Sequence, residues 1–356
     1  MKKLLFSLAV LSAVAVTAQV GINTDEPQAM LDIRAKGNQE GNLRIQDVKE
    51  EKSTQWLLIW DEKDQMVKRT SLSDLKYDMI VDKEKINYIR GKQPKRADEI
   101  IKKIKQCAPE NILFDKLFGI SGKHDFVYCA TTVTGVTGTN YNRTWLNLNL
   151  GAAYADINSP DFDPAVNKTG TDAHNEAKTY GSYYQWQRAS DGHEFRDSKP
   201  TKEPAPDWTD TGDEAGKFIN AGYNWVANGR GASGSDLALW QARGVNNPCP
   251  SGYHVPTEQE WLELHQLVTG SRSKVSTDQM WTQNKLPNLA AAGLDYRDSD
   301  NSPEDDGKGS YGYYWSSSAR EDDYAHIMLF SNNNNDGSVV HFNYRVYGMS
   351  VRCIKD

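Results

Sequence analysis

The chain has few cysteines and few long apolar runs. After the first 18 residues no stretch is apolar enough to span a membrane, and the mean hydropathy is −0.70. We therefore expect no transmembrane segment in the mature chain. The chain also has no H-x-x-x-H or C-x-x-C spacing and no nucleophile elbow, so the common zinc-site and α/β-hydrolase signatures are absent.

The first 18 residues have the pattern of a secretory signal peptide. Lys2 and Lys3 precede an apolar run over residues 4–16, and small residues lead to Ala18. A positive end, an apolar centre and a small-residue exit are typical of export signals. We expect the mature protein to be secreted or to lie at the outer cell surface.

The four cysteines all follow the predicted signal peptide. An even number of cysteines in an exported chain predicts disulfides. Four cysteines permit three pairings, and the sequence alone does not choose among them. Our expectation is that Cys249 pairs with Cys353, and Cys107 with Cys129.

Charge is unevenly divided along the chain. Residues 126–356 hold 19 Lys and Arg against 29 Asp and Glu, whereas residues 1–125 hold 22 against 19. Because a nucleic-acid-binding domain is normally basic, the acidic C-terminal part argues against nucleic acid as a partner.

Residues 19–78 are predicted to form a small β-rich stalk. The segments VGI and LDI read as two short strands, and residues 56–60 and 65–69 read as a strand and its return. The opening resembles the VGI-T-P-LDI segments of exported Bacteroidetes proteins and of phage tail-fibre shafts. In those shafts such segments support trimers, so the resemblance implies a homotrimer.

Residues 79–125 are predicted to be a basic helical connector. Ile100, Ile101, Ile104 and Leu113 form a narrow apolar stripe. A basic helix can bind anionic surfaces, but a solvated connector is far more common, and we prefer that interpretation.

Residues 126–356 differ in composition and are rich in Gly, Asn, Asp, Tyr and Trp. This composition predicts short strands, few helices and long ordered loops, and thus an α+β fold. One helix has clear boundaries, because Thr257 and Glu260 form a capping box and Gly270 can end the helix.

Five ordered sequence blocks carry a family resemblance. They are residues 144–152 (TWLNLNLGA), 180–193 (YGSYYQWQR followed by DGH), 247–261 (NPCPSGYHVPT followed by EW), 313–318 (YYWSSS) and 348–353 (GMSVRC). In this order the blocks strongly resemble the Fibrobacter succinogenes major paralogous domain, which is allied to the formylglycine-generating-enzyme type of C-type-lectin-like fold. The family often has Gly where Gln187 stands.

The resemblance implies a C-type-lectin-like domain over residues 126–356, presented by the stalk and the connector. Such a domain must fix its loops with large buried side chains. We expect tryptophans to do this; they are Trp145, Trp186, Trp240, Trp261 and Trp315.

The resemblance also implies where a ligand would bind, since loops near the C-terminal strands of C-type-lectin-like folds often form the binding surface. Residues 324–347 are rich in Tyr, Asn and Arg, which recognition loops favour. The predicted ligand-binding residues are Tyr324, His326, Asn333, Asn334, His341, Asn343, Tyr344, Arg345 and Tyr347. The alternative is that residues 332–337 are only a hairpin turn with solvated neighbours.

Calcium is the one cofactor that the composition suggests. Asp298, Asp300, Asp305 and Asp306 lie in a dense oxygen-rich segment, although the spacing does not fit an EF-hand. A solvated acidic loop is the competing interpretation. His193 and His254 are expected to have structural rather than metal-binding roles.

These observations favour a non-enzymatic, adhesin-like protein that binds polysaccharide, glycoprotein or another surface protein. One alternative is a structural component of a surface appendage or extracellular matrix. The other is an oxidase of the formylglycine-generating type, whose relatives use thiols and a copper ion. Completed disulfides would count against that second alternative.

Overall fold

A computed structural model describes residues 20–22, 24–26, 31–33, 56–120, 122–135, 140–227, 234–276, 278–297, 303–321, 323–332 and 337–356. The chain divides into two compact units, Met1–Thr54 and Gln55–Asp356. In the first unit, β1 (Val20–Ile22) pairs in parallel with β2 (Leu31–Ile33). The predicted signal peptide lies outside the described residues.

The second unit begins with an antiparallel hairpin. Strand β3 (Trp56–Asp61) pairs with β4 (Met66–Ser71), close to the two strands expected from the sequence. The hairpin leads directly into helix α1 (Leu72–Ile80), because the side chain of Ser71 caps the helix by accepting the backbone N–H of Asp74. The expected boundary between stalk and connector, at residues 78 and 79, falls inside α1.

Helices α2 (Lys83–Lys92) and α3 (Ala97–Ile104) complete the helical segment. Their apolar side chains are buried in a core with Val127, Ile157 and Phe162, so the interpretation of this segment as a solvated connector is wrong. The helical segment was also predicted to extend to residue 125, whereas α3 ends at Ile104.

The residues after α3 form a strand, not a helix. Pro109 begins a short 3-10 turn, and β5 (Ile112–Phe114) then pairs with the strand that contains Cys129. Leu113 therefore belongs to a sheet rather than to the helical stripe of Ile100 and Ile104. The disulfide between Cys107 and Cys129 links the end of the helical segment to this sheet, as predicted.

The remaining part of the unit mixes short strands, short helices and long loops, which confirms the α+β class. In chain order its elements are β6 (Val127–Thr134), β7 (Asn142–Leu146), α4 (Thr171–His174), β8 (Tyr184–Gln185), β9 (Pro200–Thr201), β10 (Phe218–Ile219), β11 (Tyr253–His254), α5 (Glu258–Thr269), α6 (Gln279–Thr282), β12 (Leu294–Arg297), β13 (Pro303–Asp306), β14 (Tyr311–Ala319), β15 (Tyr324–Ser331), β16 (Ser338–Tyr344), β17 (Gly348–Met349) and β18 (Ile354–Lys355).

Two sheets position the features discussed below. One has the strand order β11-β18-β7-β6-β5, so β18 lies between strands that precede it in the chain. The other is the antiparallel meander β14-β15-β16. The disulfide between Cys249 and Cys353 joins the loop before α5 to the start of β18, with Cα atoms 5.9 Å apart, and confirms the second predicted pairing.

Helix α5 has the predicted ends. Thr257 and Glu260 form the reciprocal capping box, and Gly270 ends the helix in the left-handed region with φ 75°. Its residue Trp261 is fully buried.

The five tryptophans that we expected to fix the loops, called the tryptophan posts below, have no exposed surface. Each indole N–H also finds an acceptor, as a buried donor must. Trp186 donates to the carbonyl of Ser316, Trp315 to that of Tyr184 and Trp261 to that of Trp315, so the rings link segments that are far apart in sequence.

Candidate functional site

A row of aromatic rings lies at the surface where β15 and β16 meet. It consists of Tyr223, Tyr344, Tyr324 and Phe342 and is called the aromatic row below. Ring centroids are 4.5 Å apart between Tyr223 and Tyr344, 4.7 Å between Tyr344 and Tyr324, and 5.2 Å between Tyr324 and Phe342. Tyr223 is 54% exposed, so the row ends in a ring that is open to solvent.

The strand register explains why three of these rings meet. Tyr324 lies directly opposite Tyr344 in the β15–β16 ladder, and His326 lies opposite Phe342. Opposed residues of an antiparallel pair share a face, and residues two apart in one strand share it too. The hydroxyl groups of Tyr324 and Tyr344 are also hydrogen-bonded at 3.0 Å.

Tyr223 comes from a distant loop that is tied to the same strands. The backbone N–H of Val346 donates to the carbonyl of Tyr223 at 3.1 Å. The neighbouring side chain of Asn224 donates to the carboxylate of Asp323 at 2.5 Å. These two bonds hold the Tyr223 ring against Tyr344.

Arg345 supports the aromatic row from beneath. Its guanidinium donates to the carbonyls of Tyr324 and Glu321 at 3.1 and 3.0 Å and lies 4.6 Å from the ring centroid of Trp186. The residue is only 1% exposed. Arg345 was predicted to contact ligand, but the structure places it below the surface, where it fixes the turn from Glu321 to Tyr324.

The other predicted binding residues lie around the same strands. His326 faces Glu258 at 3.5 Å, and His341 is exposed. The side chain of Asn343 accepts the backbone N–H of Tyr344, and Tyr347 packs edge-on against the Tyr344 ring. Asn333 and Asn334 lie outside the described residues.

Sequence reasoning missed three residues of this surface: Tyr223, Phe342 and Arg320. The guanidinium of Arg320 lies 3.5 Å from the centroid of the Phe342 ring. The spacing of Phe342 and Tyr344, two apart in a strand, was a signal for a shared face. Tyr223 gave no local signal, because its place depends on the folding of a distant loop.

The predicted calcium ligands are only partly described. Asp298 and Asp300 lie outside the described residues, and Asp305 and Asp306 are placed only as backbone positions in β13. Within the described part of the chain, the one group of His and acidic side chains close enough to share a metal ion is Asp191, His193 and Glu194.

That group is already occupied by internal contacts. His193 Nε2 accepts the backbone N–H of Gln185 at 3.1 Å, and its Nδ1 lies 2.7 Å from Asp191 Oδ1. The buried guanidinium of Arg188 donates to the other oxygen of Asp191 at 2.7 Å. Burial lowers the pKa of His193, and the charge of Arg188 lowers it further. Because both ring nitrogens are engaged, the geometry fits the expected structural role of the Asp191-Gly192-His193 segment.

In a comparison with protein-family models, the model of the Fibrobacter succinogenes major domain matches residues 141–355. The chain belongs to this family. The matched region contains the five sequence blocks, the tryptophan posts, the Cys249–Cys353 disulfide and the aromatic row. A search of curated proteins and a search of solved structures give no match.

One family position has a clear structural explanation. Gln187, where the Fibrobacter succinogenes major domain often has Gly, has φ 62°. This left-handed conformation favours glycine. The Gln187 side chain is buried and makes three hydrogen bonds to two other segments: it accepts from the backbone N–H of Trp240 at 2.6 Å and donates to the carbonyls of Leu237 and Ser317 at 3.1 Å.

The last of the five sequence blocks, GMSVRC, anchors the C-terminal end of the domain. Arg352 is fully buried and donates to Asn149 Oδ1 and to the carbonyls of Leu146, Pro287 and Asn288. The arginine in GMSVRC thus joins the first block to the last. Across the described residues, no helix combines the length and apolarity that a bilayer crossing requires.

Proposed function

We propose that the chain is an exported, non-enzymatic recognition protein, at the outer surface or in the medium, and that it binds its ligand on the aromatic row. The observation that carries this proposal is a continuous row of four rings that ends in exposed Tyr223. The ligand class we propose is polysaccharide, glycoprotein or another surface protein.

The chemistry of the row suits such ligands. Aromatic rings give large contact areas with little loss of side-chain entropy, and tyrosine adds a hydroxyl for hydrogen bonds. The row is held in place by Arg345 and by the Asn224–Asp323 bond, so little ordering is needed on binding. Arg320 over Phe342 adds a cation at one end of the row.

We also propose that the family region has a C-type-lectin-like fold. Short strands, few helices, long loops and the closure by Cys249–Cys353 support this. The pairing of all four cysteines counts against an oxidase that works through free thiols. A homotrimer, which the N-terminal resemblance implies, would raise the avidity of a weak single site.

The test is binding of the exported protein to an array of glycans and bacterial and host surface proteins. Wild type is compared with a Tyr223→Ala/Tyr344→Ala double variant and with Tyr154→Ala, a tyrosine that packs near Lys178 instead. The expected result is specific binding by wild type and Tyr154→Ala, and at least tenfold weaker binding by the double variant.

Two results would contradict the proposal. One is unchanged binding by the folded double variant, and the other is no binding by folded wild type on any probe. Repeating the array with a chelator tests calcium: loss of binding would favour a site in the acidic segment at residues 298–306.

A further inference from the structure

A small cavity lies between the first two helices of the helical segment. Helix α1 ends at Ile80 and α2 begins at Lys83, so the connection between them is short. The cavity has a volume of about 200 Å³, and its polar lining consists of Tyr77, Asp78, Lys83, Asn87 and Arg90. This volume exceeds what a single water needs but is below that of pockets for drug-sized ligands. The cavity therefore suits one small polar group.

Helix periodicity brings the polar residues of α2 together. Lys83, Asn87 and Arg90 are spaced i, i+4 and i+7, which places them along one face of the helix. The guanidinium of Arg90 donates to the side-chain oxygen of Asn87 at 3.2 Å. Tyr77 lies in the last turn of α1. Two cationic side chains from one helix and a hydroxyl from the other thus line the same cavity.

The hydroxyl group of Tyr77 is buried and has no hydrogen-bond partner among the described residues. Tyr77 is only 7% exposed and belongs to the apolar core of the helical segment. The ammonium group of Lys105 lies 4.4 Å from the centroid of its ring and stabilises the position of that ring. A buried hydroxyl without a partner is costly, and an acceptor oxygen bound in the cavity would remove that cost.

Tyr77 offers a hydrogen-bond donor at neutral pH. Burial raises the pKa of Tyr77 to about 12, although the charge of Arg90 acts in the opposite direction. The hydroxyl therefore keeps its proton. It can donate to an oxygen atom, and it carries no negative charge that would repel an anion.

Lys83 and Arg90 are available to bind an anion. In the described part of the chain, neither forms an ion pair with an acidic side chain. By contrast, Lys103 of the same helical segment pairs with Glu99 at 3.0 Å. Asp78 is the one acidic residue of the lining, so the two cations leave the cavity with a net positive charge.

Phosphate is the anion that this set of donors fits. Lysine offers a compact charge, arginine a planar fork of N–H groups, and tyrosine one further donor. These donors come from two helices, and a phosphate group has enough oxygens to accept from all three side chains, whereas a carboxylate has only two. Charge-assisted hydrogen bonds of this kind are short and strong.

We propose that the cavity between α1 and α2 binds a phosphate group, held by Lys83, Arg90 and the hydroxyl of Tyr77. Free phosphate and the phosphate head group of a lipid share this chemistry. The aromatic row is formed by residues 223–344 and is not involved, so this inference stands apart from the proposed function.

The first test is titration of the full mature chain with inorganic phosphate by isothermal titration calorimetry. The ionic strength is kept near about 0.05 M, because salt screens exposed charges. Lys83→Gln and Arg90→Gln each remove one cation of the cavity. The control is Lys102→Gln, which removes an exposed lysine of α3 that does not line the cavity.

We expect wild type and Lys102→Gln to bind phosphate with the same Kd, and Lys83→Gln and Arg90→Gln to bind it about tenfold more weakly. Asp78→Asn removes the acidic group of the lining and should tighten binding severalfold. Near-ultraviolet circular dichroism confirms that each variant is folded.

Tyr77→Phe removes only the hydroxyl group. Because that hydroxyl has no partner among the described residues, the variant without phosphate should unfold in urea at the same midpoint as wild type or at a higher one. It should nevertheless bind phosphate about threefold more weakly or worse. A lower midpoint together with unchanged binding would show that the hydroxyl is bonded within the protein, and would contradict its role in the site.

Lipid vesicles distinguish the two sources of phosphate. Flotation compares phosphatidylcholine vesicles with and without phosphatidic acid, whose head group is a phosphate monoester. Retention that needs phosphatidic acid, and that Arg90→Gln loses and Lys102→Gln keeps, would assign the phosphate to a lipid. Binding of inorganic phosphate without retention would assign it to a soluble compound. The proposal would be overturned if folded wild type bound neither probe, or if wild type, Arg90→Gln and Tyr77→Phe bound phosphate equally.

Discussion

Tyr223 stacks on Tyr344 with ring centroids 4.5 Å apart and an angle of 19° between the ring planes. The contact joins a loop that follows β10 to the end of β16, two segments far apart in sequence. It is the one ring contact in the aromatic row that brings an outlying loop onto the β14-β15-β16 meander.

This stacking should be measurable as a coupling energy. Aromatic pairs of this geometry contribute about 0.5–1.5 kcal/mol beyond their burial. We expect Tyr223→Ala and Tyr344→Ala to cost less in combination than the sum of their separate costs, by about 1 kcal/mol. Urea unfolding of the four proteins of a double-mutant cycle tests this. Strict additivity would mean that the loop holds its position without the ring contact.

Arg345 and Arg320 should differ in how much they contribute to the free energy of unfolding. Arg345→Ala removes two hydrogen bonds to carbonyls and the contact with Trp186, so we expect a loss of about 3 kcal/mol in unfolding free energy. Arg320→Ala should change stability by less than about 0.5 kcal/mol, since the residue is at the surface. Urea denaturation distinguishes them, and equal costs would refute the supporting role of Arg345.

Gln187 allows backbone strain to be separated from hydrogen bonding. Both Gln187→Ala and Gln187→Gly lose the three side-chain bonds, which should cost about 3 kcal/mol. Both variants keep φ near 62°, which is unfavourable for alanine but not for glycine. We expect Gln187→Gly to be about 1 kcal/mol more stable than Gln187→Ala. If alanine were the more stable variant, the backbone conformation would not be what favours glycine in this family.

His254 should make stability depend on pH. Burial alone would lower its pKa, but hydrogen bonds and charges from Glu260 and Asp356 outweigh burial and raise the pKa above 6.5. A raised folded-state pKa stabilises the protein below the unfolded-state value, and this contribution disappears as pH rises through the folded-state value. The cost of His254→Gln should therefore be larger at pH 5.5 than at pH 8.5. Unfolding in urea at both values measures this cost, and an equal cost at pH 5.5 and pH 8.5 would contradict the prediction.

Features with local signals were predicted well from the sequence. The capping box at Thr257 and the hairpin of residues 56–71 follow from neighbouring residue types, and the tryptophan posts follow from side-chain size. The segment around Leu113 was predicted wrongly, because an apolar residue at helical spacing equally suits a strand that has a partner. The partner, β6, is defined only by the tertiary fold.

The candidate site was predictable only in part, for a similar physical reason. Tyr324 and Tyr344 lie in strands and were proposed from composition, whereas Tyr223 reaches them through contacts of Asn224 and Val346 that no local pattern encodes. Arginine is a residue type that recognition loops favour, and Arg345 was predicted to contact ligand for that reason. Its burial follows from carbonyl acceptors that only the folded turn provides.

The position of β18 has a consequence for the timing of folding. Strands β7 and β11 are both made before Ile354, yet β18 lies between them and carries one end of the Cys249–Cys353 bond at its margin. A chain that emerges from its N-terminus, whether from a ribosome or through an export channel, must wait for these residues before the sheet can close. Closure of this sheet and formation of the Cys249–Cys353 bond therefore both depend on residues that are synthesised after every other strand of the sheet.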